Sequence, residues 1–394
     1  PGCHRHSRGL GYIVQIPTQI LMMVMEVIQR NFFRLLRGGA FGCTGEAIEP
    51  MSPWKWNTLY NISLIHGVAT LVYDGIKLYG DDFFMQIPPG LKAKWEKTKD
   101  QTVKAYTEGL DGLARLFDAM NHEQMRPILM HGQSLAALYD EPSHRTNGDV
   151  DIFLPYAPQA KKAEAWAKAN GQQACKTERG TLQYSYNGLE VEHYTQAIRL
   201  TNFFLNKKLQ GIINREVRCC DSTYIYIGDS KIETLPPTLG LLLTMLRIAH
   251  YTIIEGIRLR QLVDLGMTLR KAGNSIDFVK LQKWIDQLHF RRMAQLEGAM
   301  LVEFFKFEED EIPFMDAKGS KDTKKVNDDI FSFKAGHSDD WYFTQGKNIF
   351  VRTSDSGAMT WQLKHVARFF GYYPAESITA LSSSFAHSLS HIEE

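Results

Sequence analysis

Two aspartates one residue apart, Asp149 and Asp151, lie in the run Asp-Val-Asp-Ile, whose alternation predicts a β-strand. Side chains two apart on a strand leave from the same face, so the two carboxylates are set side by side while Val150 and Ile152 turn into a core. Carboxylates held that close repel, and a divalent cation relieves the repulsion. Mg²⁺, or Mn²⁺ in its place, is held by one or two carboxylates together with substrate phosphates rather than by an all-protein cage. Upstream lies the turn Gly132-Gln133-Ser134. Without a Cβ at Gly132 the backbone can approach a ligand closely, and the amides opening the short helix expected after it point at an anion such as a triphosphate. The combination predicts metal-dependent phosphoryl chemistry; the plainer alternative makes the aspartates a solvated or capping pair.

A third carboxylate is expected in the strand Leu189 to Tyr194, where Glu190 and Glu192 share one face, opposite Val191 and His193. Arg145, four residues before Asp149, is either an ion-pair partner that holds the loop or a phosphate ligand; spacing allows both. Arg260 and Asp264 stand one helical turn apart, which fits an i,i+4 ion pair or an Arg turned to grip phosphate bidentately.

The segment from His131 to Pro155 resembles the polymerase β-type nucleotidyltransferase superfamily, whose signature is a Gly-Ser turn, a short helix and Asp-x-Asp or Asp-x-Glu on the next strand. More narrowly, Gly132, Arg145, Gly148, Asp149 and Asp151 resemble an uncharacterised bacterial nucleotidyltransferase family. Its pattern is Gly-x-x-Leu, then Arg-x-x-Gly-Asp-hydrophobic-Asp. Two further stretches carry the same resemblance: SPWKWNTLYNISLIHGVATLVYDGI, with a Trp-containing helix leading to His66-Gly67-Val68, and the His250, Gly256, Leu259, Arg260, Gln261, Asp264 series. Gln133 separates Gly132 from Ser134, which the broader superfamily places together. The resemblance implies transfer of an NMP from a nucleoside triphosphate to an acceptor with release of pyrophosphate. Asp149, Asp151 and Glu192 would hold metal, Glu192 being preferred to Glu190 because His193 follows it. Gly132, Ser134, Arg145 and Arg260 would serve the triphosphate. The acceptor is left open among small molecules, proteins and RNA, and the rival is an inactive module of the same fold that binds nucleotide or a partner.

These residues need elements to hold them. Ser52 and Pro53 predict a helix start, followed by runs Asn57 to Ala69 and Leu71 to Tyr79. Ala93 to Asn121 predicts a long helix feeding the strand Pro127 to Met130, and His66 is expected to be a packing residue at a helix end. Ala157 to Asn170 predicts a surface helix, and Gln173 to Thr177, Leu182 to Tyr186 and Leu189 to Tyr194 predict strands with a turn at Asn187-Gly188. After a strand at Thr223 to Ile227, helical spacing recurs over Leu239–Tyr251, Leu259–Lys271, Phe278–Leu288 and Arg291–Phe305. The fold expected is therefore α+β: a small mixed-sheet core at 127–230, a helical region at 51–126, and a C-terminal helical domain at 231–394 with a polar, loop-rich stretch at 307–347. Met359 to Tyr372 is expected to be helical, with Val366, Phe369 and Phe370 on its apolar side, and the Ser-rich end a fraying tail.

With 394 residues, 44% hydrophobic and 23% charged, the composition is that of a globular chain. Lys and Arg number 45 against 44 Asp and Glu, so no global field argues for a long nucleic acid. Five cysteines without paired spacing argue against a zinc site and fit a reducing cytoplasm; Cys219 and Cys220 are expected to be half-buried thiols. No apolar run reaches the ~18 residues needed to span a bilayer. At the N-terminus, residues 1–50 read as an extension: PGCHRHSRGLGYIVQIP has no clear periodicity, and Glu26, Arg30 and Arg34 on one face of Ile20 to Leu36 suit an amphipathic helix better than a signal peptide. Nothing matches the P-loop pattern.

Overall fold

The computed structural model describes residues 18–80, 82–177, 180–219, 222–316, 323–331, 363 and 365–390. Strand β1 is only Ile128–Leu129, yet it joins the two halves of the sheet. On one side it pairs antiparallel with β2 (Val150–Phe153), which runs parallel to β5 (Leu189–Tyr194); β4 (Leu182–Tyr186) and β3 (Gln172–Lys176) continue outward as antiparallel neighbours. On the other side β1 runs parallel to β7 (Ser230–Thr234), and β6 (Thr223–Ile227) closes the edge. Among the described residues this is one mixed sheet of seven strands in the order β3-β4-β5-β2-β1-β7-β6, set among many helices, so the class is α+β. Asn187 and Gly188 take φ of 49° and 80° in the β4–β5 turn, the pair of positive angles that Asn-Gly tolerates.

One face of the sheet packs Val150, Ile152, Leu182, Tyr184 and Val191 against Leu113, Leu116, Phe117 and Met120 of a long helix, α4. That helix, Pro89–His122, passes beneath the β4–β5 turn. A Cβ added at Gly112 would stand 2.9 Å from the Leu189 side chain, so glycine is what lets α4 lie this close. Ala163 and Ala167 of helix α6 (Ala157–Asn170) complete that core.

Ile128, Met130 and Phe153 belong to a second, larger core made chiefly by helices. Helix α1 (Thr18–Phe41) is a core element here: Ile28, Phe32, Leu35 and Leu36 are fully buried. Its backbone touches that of α3 (Ala69–Leu78), where a Cβ at Gly75 would fall 1.9 Å from the Leu35 carbonyl oxygen. Its arginine face is tied down by Glu46 and Glu49, Arg30 and Arg34 both bonding Glu49 at 2.7 Å. Helix α2 (Pro53–Ile65) starts as expected, with Ser52 Oγ accepting from the Lys55 amide. The C-terminal unit is built on α8 (Pro237–His250), α9 (Leu259–Ala272), α10 (Phe278–Gln287) and α11 (Arg291–Phe305). The stretch Pro237–Ile254 has the length and hydropathy of a membrane span, which the sequence reading overlooked, but 67% of it is buried against the protein.

Several elements depart from expectation. Residues 195–222, given no element from sequence, contain helix α7 (Phe203–Cys219), whose buried Leu205, Leu209, Ile212, Ile213 and Val217 show plain helical spacing. Strand β7 carries only Ile232 as an apolar residue, too weak a pattern to read, and owes its place to the β6 turn and to β1. Within 307–347, Phe307, Ile312, Phe314 and helix Thr323–Ile330 are packed rather than loose; residues 317–322 and 332–347 lie outside the described residues. Of the Ser-rich end expected to fray over Ser382 to Glu394, residues 382–390 continue helix Pro374–Ser390, and residues 391–394 lie outside the described residues. Hydroxyls at Thr379 and Ser382 donate to the carbonyls four residues back and so do not compete for the helix amides. Residues 365–369 are helical, with Val366 and Phe369 buried but Phe370 40% exposed beyond the last turn. Cys219 is exposed rather than half-buried; residues 1–17, with Cys3, and also Cys220 lie outside the described residues.

Helix α11 buries Glu297 completely, and neither of its carboxyl oxygens has a hydrogen-bond partner. Burial holds this carboxyl well above the usual carboxylate range. The folded protein therefore keeps a proton that the unfolded chain releases, and stability falls as pH rises above the unfolded value of about 4.3. We expect Glu297→Gln to flatten this decline and Glu297→Met to raise stability at neutral pH by about 1–3 kcal/mol, read from urea unfolding at pH 5 and pH 8.

Candidate active site

Parallel pairing of β2 and β5 sets Asp151 opposite Glu192 and Val150 opposite Val191. Asp149 immediately precedes β2, and Glu190 lies two residues before Glu192 on the same face, so acidic side chains line both strands. Desolvation raises the Asp149 carboxyl to about 6, with Asp151, Glu192 and Glu190 adding to the shift in that order. Asp151 is also raised, by burial first, against the opposing pull of Arg247. The structure thus brings together the two aspartates and both candidate glutamates. Glu192 is buried, at 9% exposure, whereas Glu190 is exposed.

Neighbouring side chains hold these carboxylates apart. Thr181 Oγ1 donates to Glu192 Oε1 and Gln183 Nε2 to Oε2 at 3.0 Å, both from β4 or its lead-in. The Tyr194 side chain, on the same face of β5 as Glu192, interacts electrostatically with Asp151 and Glu192. His193, on the other face, pairs with the Tyr184 hydroxyl at 2.8 Å, and burial lowers it to about 4. Among the described residues no three His, Cys, Asp or Glu side chains stand already in metal-holding geometry. The donors are nevertheless all hard carboxylate oxygens, and their repulsion adds to the burial that raises Asp149, a set that fits Mg²⁺ or Mn²⁺.

Facing them is a group of guanidinium ions. Arg145, 5% exposed, is spent on Asp264: Nε bonds Oδ1 at 2.7 Å and Nη2 bonds Oδ2 at 2.8 Å, while Nη1 donates to Asn147. Tyr139 adds a 2.7 Å bond to the same Oδ1. Asp264 is therefore clamped to Arg145 across the loop, not to Arg260 one turn away. Arg260 gives Nη1 to the Thr146 carbonyl at 2.7 Å, and its Nε is buried with no partner. Desolvation, Arg145 and Arg247 lower Arg260 to about 10, the mark of a cation crowded by cations. Helix α9 is seated by His66, whose carbonyl accepts from the Arg260 amide at 3.3 Å, and a Cβ on Gly67 would lie 3.6 Å from Arg260 Cδ. His66 is accordingly a buried packing residue.

The turn follows β1, and Met130 just before it gives its amide to the Asp151 carbonyl. Gly132 takes φ 68°, ψ −115°, a conformation open to glycine and costly for other residues, and an added Cβ would meet nothing within 4 Å. Helix α5 (Gln133–Ala136) follows, and its first amides lack intrahelical partners by geometry. Ser134 Oγ turns back to the His131 carbonyl at 3.3 Å. His131 is kept neutral, well below the usual range, by desolvation and then by Arg247, Arg145 and Arg260.

A family model described as an uncharacterised nucleotidyltransferase matches residues 52–306. The chain belongs to this nucleotidyltransferase family. The match spans every site residue named above. A solved structure, an antigenic nucleotidyltransferase-like protein from Paracoccidioides brasiliensis, is similar at 14% identity and a TM-score of 0.32, covering 51% of this chain and 93% of that one; a likeness at that level carries no argument. No curated protein matches. Sequence reasoning missed Arg247, Tyr194, Thr181 and Gln183. The only signals were a lone arginine in the otherwise apolar α8 and a tyrosine two residues beyond Glu192 on its face.

Two outcomes follow from this geometry. Because the folded pKa of Asp149 is raised to about 6, the parent should lose stability as pH rises from about 4 to about 6 without divalent ions; thermal melts of Asp149→Asn should show a shallower decline, the remainder coming from Asp151 and Glu297. Arg145→Ala should cost about 3–5 kcal/mol of stability, since it leaves Asp264 charged and buried, and chemical denaturation measures the loss.

Proposed function

We propose that the protein transfers a nucleoside monophosphate from a nucleoside triphosphate to an acceptor hydroxyl, releasing pyrophosphate, with Mg²⁺ or Mn²⁺ held by Asp149, Asp151 and Glu192. The observation that carries this reading is the apposition of a crowded carboxylate face to an arginine group in which Arg260 keeps a buried, unpartnered Nε. Such a site asks for a cation beside the strands and an anion beside the helices, and a metal–triphosphate supplies both. When bound, the metal would activate the acceptor hydroxyl and neutralise triphosphate oxygens.

The chain's own residues do the rest. Gly132 lets backbone amides at the start of α5 approach the β- and γ-phosphates, which leave as pyrophosphate. Arg260 offers its free Nε–H to the same oxygens, and charge-assisted bonds of that kind are about twice as strong as neutral ones. Arg145 acts by holding Asp264, α9 and the 145–148 loop in register, so that Arg260 stays bonded to the Thr146 carbonyl three residues before Asp149. Thr181, Gln183 and Tyr194 fix the orientation of Glu192 and Asp151.

The second reading is an inactive module that binds nucleotide without turnover, favoured by the hydrogen bonds that hold Glu192 aside. Incubation with each α-³²P-labelled NTP and fractionated lysate separates the two. The proposal expects a labelled acceptor and pyrophosphate from the parent, and loss of both in Asp151→Asn with little change in melting temperature. Nucleotide binding that neither needs metal nor yields a labelled product from any NTP would favour the inactive module.

A further inference from the structure

Arg247 and Arg145 are held in contrasting ways. Arg145 is locked by short bonds to both oxygens of Asp264. Arg247 stands 3.7 Å from Asp151 Oδ2, beyond hydrogen-bond length, and 32% of its side chain is exposed. It projects from a buried part of α8, between fully or nearly fully buried Leu246 and Ile248, so its stem is fixed, while its head pairs loosely with Asp151 and also interacts with the neutral Tyr251 hydroxyl, which leaves its charge without a tight ion pair. The same guanidinium lies near His131, on the approach to the Gly132 turn. One cation thus stands 3.7 Å from Asp151 and within electrostatic reach of His131, in short-range contact with neither.

We propose that Arg247 is the internal counter-ion of Asp151 when no metal is present, and that it passes to the triphosphate when a metal–triphosphate enters. This rests on the reading of Asp149, Asp151 and Glu192 as metal ligands. A free divalent cation arriving alone competes with Arg247 for Asp151 and meets its positive charge at close range. A metal carried on triphosphate brings the anion that gives Arg247 a new partner, so Arg247 opposes the first event and assists the second. The residue thereby selects for metal already complexed to polyphosphate.

The test is Mn²⁺ binding followed by electron paramagnetic resonance, with Mn²⁺ alone and with Mn²⁺ plus inorganic triphosphate, for the parent, Arg247→Gln and Arg247→Lys, after melting curves show that all three fold. We expect Arg247→Gln to bind free Mn²⁺ several-fold more tightly and Mn²⁺–triphosphate about tenfold more weakly, the scale of one charge-assisted bond. Arg247→Lys, which keeps the charge, should follow the parent with free Mn²⁺. A merely structural role cannot move the two affinities in opposite directions. Should Arg247→Gln leave both unchanged, or shift both the same way, the exchange is wrong. If even the parent takes up no Mn²⁺ in either condition, the reading of the carboxylates as metal ligands fails first.

Discussion

Like-charge repulsion across two neighbouring strands is the constraint around which this protein is arranged. Adjacent strands lie about 4.8 Å apart, and unit charges at that distance repel by roughly 3–4 kcal/mol at an effective dielectric of about 20. Asp151 and Glu192 sit at that spacing by register, with Asp149 and Glu190 beside them. A fold keeps such a face only if protons, hydrogen bonds or cations offset the repulsion. All three operate here: Asp149 is raised to about 6, Glu192 is bonded by Thr181 and Gln183, and Arg247 stands against Asp151.

The positive charge comes from the helical unit, which makes the site a joint product of sheet and helices. Arg247 arrives on α8 and Arg260 on α9. The Arg145–Asp264 clamp joins the loop before β2 to α9, and His66 accepts from the first turn of α9. Both contacts tie the anionic strands to the cationic helices. A buried pair of this kind is poor evidence of net stability, since desolvation offsets much of the attraction. Its directional bonds do fix one relative placement of loop and helix.

Much of this was legible in the sequence, and the illegible parts share a cause. Asp149 and Asp151 were readable because strand alternation is local, and Ser52-Pro53 and Asn187-Gly188 because caps and turns are local too. Period-2 alternation grouped Glu190 with Glu192, but only the β2–β5 register sets Glu192 directly opposite Asp151. Arg145 could have served loop or ligand by spacing; its commitment to Asp264 is a contact across 119 residues that no local pattern encodes. The same holds for Arg247 with Asp151 and for the seating of Arg260 over Gly67. Helix α7 is different, for its apolar spacing was present and simply unread.

On the proposed function, the carboxylate face and the arginine group together form one metal–triphosphate site. Anomalous diffraction at the manganese edge, from crystals grown with Mn²⁺ and inorganic triphosphate, tests it most directly. An anomalous peak among Asp149, Asp151 and Glu192 is expected, with phosphate density reaching from it to the Gly132 turn and Arg260. Manganese bound elsewhere, or triphosphate lodged on other basic residues with the three carboxylates bare, would contradict it.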